Sequence, residues 1–280
     1  MNEPQILKWQ LLLRQGAERL RQGKYEEATH WFESAYGLAP EEPLVCYALG
    51  RERMRQGQYR EAERLVRLAW EADQTILSAG LTLVRLLGLH LRRKPEALAL
   101  LDFLSKKNQG EPEVLDLLKA EILLTDPKDA EDATRLFEEV LASGKHRDAA
   151  TEGLARAYNV QGIRLAEAGK VHEALFVLKK AAALVPDWAP PLVNMGVVFQ
   201  LLGKDKRAKK EYLSALDVEP DSATALYNLG RLAAAQEDFD EAAVYYRRLL
   251  DAHPSYPGVR SALADLARRR ASAQSHDKGQ

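Results

Sequence analysis

The sequence has little of what usually indicates an oxidising compartment or a membrane, namely cysteines and long apolar runs. Its 280 residues include one cysteine, Cys46, so no disulfide can form within the chain and nothing points to an oxidising compartment. Cys46 stands at an apolar position of a predicted helix, where we expect a buried thiol. No run approaches the roughly 18 apolar residues of a membrane span, and the N-terminal residues do not resemble a signal peptide. We therefore expect a cytoplasmic protein without a membrane span.

The sequence also lacks an excess of charge of either sign. Its 40 Lys and Arg residues balance 41 Asp and Glu residues, which leaves a formal net charge of −1. Nucleic acid or an anionic membrane as the main partner would favour a basic excess, although a local basic patch stays open. With 46% hydrophobic residues the chain can bury a core, and its wealth of Ala, Leu, Glu and Arg favours helix.

No catalytic or metal-binding constellation is recognisable. Residues 146–148, His-Arg-Asp, match the start of a kinase catalytic loop, but Gly153 stands where that loop needs an asparagine. Gly203 and Lys204 lack the flanking residues of a phosphate-binding loop. The six histidines show no pairing four residues apart and have no cysteine partners. We therefore expect no enzyme, no metal site and no cofactor.

What the chain does contain is a pattern with a period of 34 residues. Three residue types recur at this step in the C-terminal part: Gly162, Gly196 and Gly230; Ala174, Ala208 and Ala242; Pro186, Pro220 and Pro254. A glycine inside a helix costs about 1 kcal/mol relative to alanine, so its recurrence at one phase indicates a closely packed second helix. A proline disfavours helix at the residue before it and so ends each pair of helices. Self-similarity at this spacing predicts stacked helical repeats.

The order glycine, alanine, large aromatic, alanine and proline in this frame resembles the tetratricopeptide repeat. The resemblance covers residues 9–74 and 155–254, and the copy that starts near Ala189 matches best, with Gly196, Ala208, Tyr212 and Pro220 in frame. It implies an all-α, right-handed superhelical solenoid. We expect about seven helix pairs of this type, followed by a C-terminal capping helix that covers the last pair.

The regularity of the pattern suggests how the chain is organised. Residues 1–74 hold repeats 1 and 2, and residues 75–144 hold two degenerate repeats with steps longer than 34. Residues 145–254 hold repeats 5 to 7, with an extended first helix in repeat 5 from about residue 147 to 168. Residues 255–270 are predicted to form the capping helix, and residues 271–280 a disordered tail.

Polar side chains on the first helices form the first candidate site. In tetratricopeptide proteins the first helix of each repeat lines a concave groove, and this frame places Asn194 and Asn228 at one groove-facing phase. Asn159 lies one residue off that phase, while Tyr227 and Arg231 flank Asn228. Amides offer a donor and an acceptor, and the column resembles the asparagine ladder of O-GlcNAc transferases. The alternative is that these asparagines hold contacts between repeats.

A basic group forms the second candidate site. The groove side of the first two repeats carries Arg14, Arg21, Tyr47, Arg51 and Arg55. Arginine makes bidentate contacts with carboxylates and stacks on rings, so this group suits an acidic or C-terminal carboxylate segment. The alternative is a solvated face paired with local glutamates such as Glu18 and Glu52.

These observations predict a non-enzymatic adaptor or scaffold that binds an extended or helical segment of a partner protein in the concave groove. The main alternative is a regulatory or targeting subunit of an enzyme or secretion machine, which would use its convex face or its ends. RNA binding is a remote alternative, since helical-repeat RNA binders step by 35 residues and the charge here is neutral. The oligomeric state stays open, because Ile6, Leu7 and Leu11 suggest an uncovered face on the first helix.

Overall fold

Helices are the only regular secondary structure in the part of the chain that can be described. The computed structural model describes the backbone of residues 3–277 and the side chains of residues 8–270. These residues contain fifteen α-helices and no strand. The chain divides into two compact units, Met1–His146 and Arg147–Gln280.

Unit 1 consists of four successive pairs of helices, and the two helices of each pair pack against each other. Its helices are α1 (Glu3–Arg21), α2 (Tyr25–Leu38), α3 (Pro43–Arg55), α4 (Tyr59–Ala72), α5 (Leu77–Arg85), α6 (Lys94–Lys106), α7 (Pro112–Leu123) and α8 (Ala130–Ser143). A π-helical turn, Leu86–His90, continues α5, and a short 3₁₀ turn, Pro127–Asp129, precedes α8. Within the unit, each helix from α1 to α7 packs on the next one along the chain.

Unit 2 consists of three further pairs and one terminal helix. Its helices are α9 (Arg147–Glu167), α10 (Val171–Leu184), α11 (Pro190–Leu201), α12 (Asp205–Val218), α13 (Ala223–Ala235), α14 (Phe239–Ala252) and α15 (Val259–Asp277). Each of these helices again packs on its successor. The predicted all-α arrangement of seven helix pairs and a terminal helix is therefore confirmed.

The recurring small residues lie where the two helices of a pair approach each other. Ala174, Ala208 and Ala242 are completely buried. At Gly196 an added Cβ would lie 2.4 Å from Cε1 of Tyr212, which is less than any ordinary contact between carbon atoms. The glycine is needed at this position because the aromatic ring of the second helix occupies the space that a side chain would take.

The turns inside the pairs use residues in the left-handed region. Gly203 has a φ of 66° between α11 and α12, a conformation that glycine adopts at little cost. In the last repeat Glu237 takes the equivalent place with a φ of 64°. This turn is therefore kept even where the sequence lacks the glycine that marks it.

The irregular steps of the repeat are absorbed inside helices. The step from Ala62 to Ala97 is 35 residues, and the π-helical turn Leu86–His90 lies within it. A π-helical turn accommodates an extra residue in a helix. The longer step before Ala174 lengthens α9, which has 21 residues where α11 has 12. Since two α-helical turns take about seven residues, the insertion leaves the packed face of α9 in phase.

The C-terminal helix is longer than the sequence predicts. α15 extends to Asp277, seven residues beyond the predicted end of the capping helix at residue 270, and the disorder predicted for residues 271–280 stays a prediction. Between Val259 and Asp277 there is no proline or glycine to end it. Residues 278–280 and the side chains of Ile6 and Leu7 lie outside the described part, whereas Leu11 is exposed.

Candidate functional site

The first helices of unit 2 bring two of the predicted asparagines together. α9 and α11 contact each other, and Nδ2 of Asn194 donates a hydrogen bond to Oδ1 of Asn159 at 2.8 Å. Asn159 is only 8% exposed, and this hydrogen bond satisfies the oxygen of its buried amide. Asn194 is half-buried and keeps hydrogen-bonding capacity beyond this single donor. The pair is thus a contact between repeats, as the alternative interpretation had it, with one polar side chain still accessible.

An apolar groove opens beside Asn194. It has a volume of about 390 Å³. Its lining comes from α9, α10 and α11: Gly162, Ile163, Ala166, Glu167, Leu178, Asn194, Val197, Val198 and Leu201. Ile163 and Val197 are exposed and Leu201 is 61% exposed, so three large apolar side chains face water here. We call this surface the first-helix groove.

The apolar members of the first-helix groove were not predicted from the sequence, because an apolar residue in a helix is by default assigned to the core. A signal for them exists, because Ile163, Val197 and Arg231 share one phase. Each directly follows one of the recurring glycines. Successive residues of an α-helix are about 100° apart, so a residue that follows a glycine packed against the second helix lies on a different face of the first helix.

Asn228 does not extend the bonded pair. It is half-buried and makes no side-chain hydrogen bond within the described part of the chain. The ring of the neighbouring Tyr227 packs against Tyr246 and Tyr256, with ring centroids 6.1 and 5.5 Å apart. Cζ of Arg231 lies 5.8 Å from the centroid of the Tyr227 ring. This part of the predicted site is therefore an aromatic packing group with an exposed guanidinium over it.

Two of the predicted arginines in unit 1 are paired with glutamates. Arg21 and Glu18 are 2.6 Å apart, and Nε of Arg55 donates to Oε2 of Glu52 at 2.9 Å. Glu52 is buried and also accepts a hydrogen bond from Oγ1 of Thr29 at 3.3 Å. The glutamates named as the alternative partners are thus the observed partners of these two arginines.

Two arginines of α3, Arg51 and Arg55, lie over tyrosine rings. Cζ of Arg51 lies 5.7 Å from the centroid of Tyr47, and Cζ of Arg55 lies 4.3 Å from that of Tyr25. Arg14 is exposed on α1. Arg55 borders an open hollow of about 630 Å³ that is also lined by residues 23–27. Glu26 and Glu27 of that segment balance the charges of Lys24 and Arg55, so the hollow has no excess of positive charge that would attract an anionic ligand. The first-helix groove is therefore the stronger candidate site.

Within the described residues, no helix is both long enough and apolar enough to cross a membrane. In the same part of the chain, no group of three or more His, Cys, Asp or Glu side chains is arranged to hold a metal ion.

Comparison with known proteins gives matches in sequence and in structure. Two family models described as tetratricopeptide repeat match residues 19–87 and 202–257. The type IV pilus assembly protein PilF of Pseudomonas aeruginosa is 33% identical over 112 residues, which is 40% of this chain. The chain spans only 42% of the length of that relative.

A solved structure extends the likeness along the chain. A tetratricopeptide repeat protein from Parabacteroides merdae aligns with 92% of this chain and 98% of its own, with a TM-score of 0.63. At 16% identity this likeness concerns the fold alone. Taken with the two repeat matches and the packed helix pairs, it shows that the chain belongs to the tetratricopeptide repeat family.

Proposed function

We propose that the protein is a non-enzymatic adaptor that binds a segment of a partner protein in the first-helix groove. Proteins of this family generally mediate protein–protein interactions. The observation that supports this site is the apolar groove beside Asn194, with Ile163, Val197 and Leu201 open to water. Exposed apolar side chains that cluster around a polar group are typical of surfaces that bind other molecules.

The chemistry of the groove defines the segment that suits it. Apolar side chains of the segment would displace water from Val197 and Leu201, and each fully buried side chain of that size contributes about 1.5–3 kcal/mol. The free acceptor of Asn194 would receive a backbone N–H of the segment. Among the described residues that line the groove, Glu167 alone is charged. The groove therefore favours an apolar segment over an acidic one.

The test is to make the groove polar without changing the core. Ile163→Asp combined with Leu201→Asp places two charges where the segment would lie, and both native side chains are exposed. The matched control is Leu44→Asp combined with Leu68→Asp, since these leucines are also exposed but lie in unit 1. Partners are captured from a lysate of the source organism, identified by mass spectrometry and then titrated as purified proteins.

We expect the partner to bind the groove variant at least about tenfold more weakly and the control variant with unchanged affinity. Circular dichroism should show the same helicity for all three proteins. Asn228→Ala should have little effect, because Asn228 is outside the bonded pair. Equal affinity of the groove variant and the control would contradict this proposal.

A second candidate function is favoured by the match to the pilus assembly protein. The 33% identity over 112 residues suits a targeting or regulatory subunit of an assembly or secretion machine. Such a subunit would co-purify in a fixed ratio with the machine. It would also stay bound when the groove carries Ile163→Asp and Leu201→Asp, which distinguishes the two functions.

A further inference from the structure

The second helices of unit 2 expose large apolar side chains that do not line the first-helix groove. Phe176 of α10 and Val244 of α14 are 62% and 60% exposed, and Leu213 of α12 is exposed as well. Phe176 and Val244 occupy the same phase, two repeats apart. Side chains of this size cluster in exposed positions mainly where they meet another molecule.

The same stretch of these three helices is basic. Its exposed cations are Lys179, Lys180, Lys210, Arg247 and Arg248. Within the described residues none of the five forms an ion pair with a carboxylate. Nζ of Lys180 lies 4.9 Å from the centroid of the Phe176 ring, so charge and apolar surface are directly adjacent. We call these five cations, together with Phe176, Leu213 and Val244, the outer band.

Packing within unit 2 places the three helices in succession. α11 packs on both α10 and α12, and α13 packs on both α12 and α14. Lys209 of α12 and Glu241 of α14 also form an ion pair at 2.7 Å. Burial raises the pKa of the Glu211 carboxyl of α12, and the positive charges of Lys210 and of Lys179 of α10 oppose that rise. The outer band therefore crosses all three helices.

Carboxylates define the width of the strip. Glu173 and Asp240 are exposed before it and Asp217 and Asp251 after it, near opposite ends of the helices. Inside the strip, residues 176–180, 210–214 and 244–248, the described carboxylate is Glu211, which is half-buried. Five residues of α-helix span about 7 Å, which is less than the 10–12 Å diameter of a helix with its side chains, so one helical segment is wide enough to cover the strip. A flat anionic bilayer would also meet the bordering carboxylates and be repelled by them.

We propose that the outer band binds an acidic amphipathic segment of a partner protein. Apolar side chains of the segment would lie against Phe176, Leu213 and Val244, and its carboxylates would face the cations of the strip. Single exposed ion pairs contribute little, but a row of like charges speeds association and selects acidic partners. This site is separate from the first-helix groove and does not depend on its function.

The probe is a labelled amphipathic helical peptide with glutamate on its polar face and leucine on its apolar face. Its binding to the full chain is followed by fluorescence anisotropy. The test variant carries Lys179→Glu, Lys210→Glu and Arg247→Glu. The control carries Arg60→Glu, Arg64→Glu and Lys106→Glu, three exposed cations of unit 1, and so has the same net charge.

We expect the test variant to bind the acidic peptide at least about tenfold more weakly than the control does, because only it reverses the strip. Phe176→Ser with Val244→Ser should also weaken binding, while the far-ultraviolet spectrum and the melting curve stay unchanged. The same peptide with lysine in place of glutamate should not bind. The groove variant Ile163→Asp with Leu201→Asp should bind the acidic peptide as the native protein does.

Results of three kinds would overturn the proposal. The first is that the native protein does not bind the acidic peptide, or that the test and control variants bind it equally. The second is that binding is lost when the groove is altered, which would assign the peptide to the groove. The third is that vesicles of phosphatidylserine bind through the strip while the peptide does not, which would make the strip a membrane-binding surface.

Discussion

The most direct test of the packing is to replace Gly196 with alanine. On helix propensity alone this change should stabilise α11 by about 1 kcal/mol, because glycine is a poor residue in a helix interior. The structure predicts the opposite sign. The new Cβ would lie 2.4, 2.6 and 2.8 Å from three ring atoms of Tyr212. Tyr212 is completely buried, so its ring cannot move into solvent.

The magnitude follows from three contributions. Overpacking of this kind costs typically about 1–3 kcal/mol. A displaced ring also weakens the hydrogen bond that the Tyr212 hydroxyl donates to Oε1 of Gln200 at 2.7 Å, which is worth about 1 kcal/mol. After subtraction of the gain in propensity, we expect Gly196→Ala to lower the free energy of unfolding by about 1–3 kcal/mol.

Urea unfolding followed by circular dichroism measures this change, and two comparisons make it specific. Gly37→Ala in α2 adds a methyl group with no other atom within 4 Å, so it should be neutral or slightly stabilising. In a Tyr212→Ala background, where the ring is gone, Gly196→Ala should become neutral or stabilising. The reasoning fails if Gly196→Ala is as stable as the native protein, or if its effect is the same in both backgrounds.

Two further predictions concern groups whose pKa is shifted. Burial raises the pKa of the Cys46 thiol, so a disulfide reagent at neutral pH should label the native protein on the order of 100-fold more slowly than the urea-unfolded chain; equal rates would contradict its burial. Burial works to raise the pKa of Glu63, but the hydrogen bonds and charges of Arg67 and Arg93 hold it below its usual value. Glu63→Gln should therefore cost about 1 kcal/mol at neutral pH. That difference should vanish as the pH falls below the ordinary glutamate pKa of about 4.3 and through the lowered folded value. A difference that stays constant down to pH 3 would refute this.

The regular repeats could be predicted because their determinants are local in the frame. Ala208 and Gly196 recur at fixed positions of the 34-residue period, where the two helices of a pair must approach closely. Their spacing along the sequence was therefore enough to locate the helix pairs. The irregular steps could not be resolved in this way. A step of 35 residues between Ala62 and Ala97 fits either a longer loop or an extra residue in a helix. The π-helical turn Leu86–His90 depends on packing of the completed repeat, which the period does not report.

The candidate site was predictable in its polar part and not in its apolar part. Asn159 lies one residue away from the phase of Asn194, yet their side chains meet at 2.8 Å, because the two helices are close enough for one amide to reach the other. That distance depends on tertiary packing. Whether Val197 and Leu201 are covered depends on how neighbouring helices pack, and an apolar residue in a helix is by default assigned to the core. The groove was missed for this reason.

The net charge of −1 gives a misleading picture of the surface, because it averages faces of opposite character. The second helix of the first repeat, α2, exposes Glu26, Glu27 and Glu33, whereas α10 exposes Lys179 and Lys180. The neutral composition therefore argues against a polyanion such as nucleic acid as the main partner. It does not argue against an acidic protein segment that binds to one basic part of the surface. In unit 2 the exposed apolar side chains of the groove come from first helices, and the exposed side chains of the basic strip come from second helices. Because the two surfaces expose different side chains, one segment could occupy the groove while another occupies the strip. An adaptor that joins two proteins needs this separation, and the groove and strip variants test each surface without altering the other.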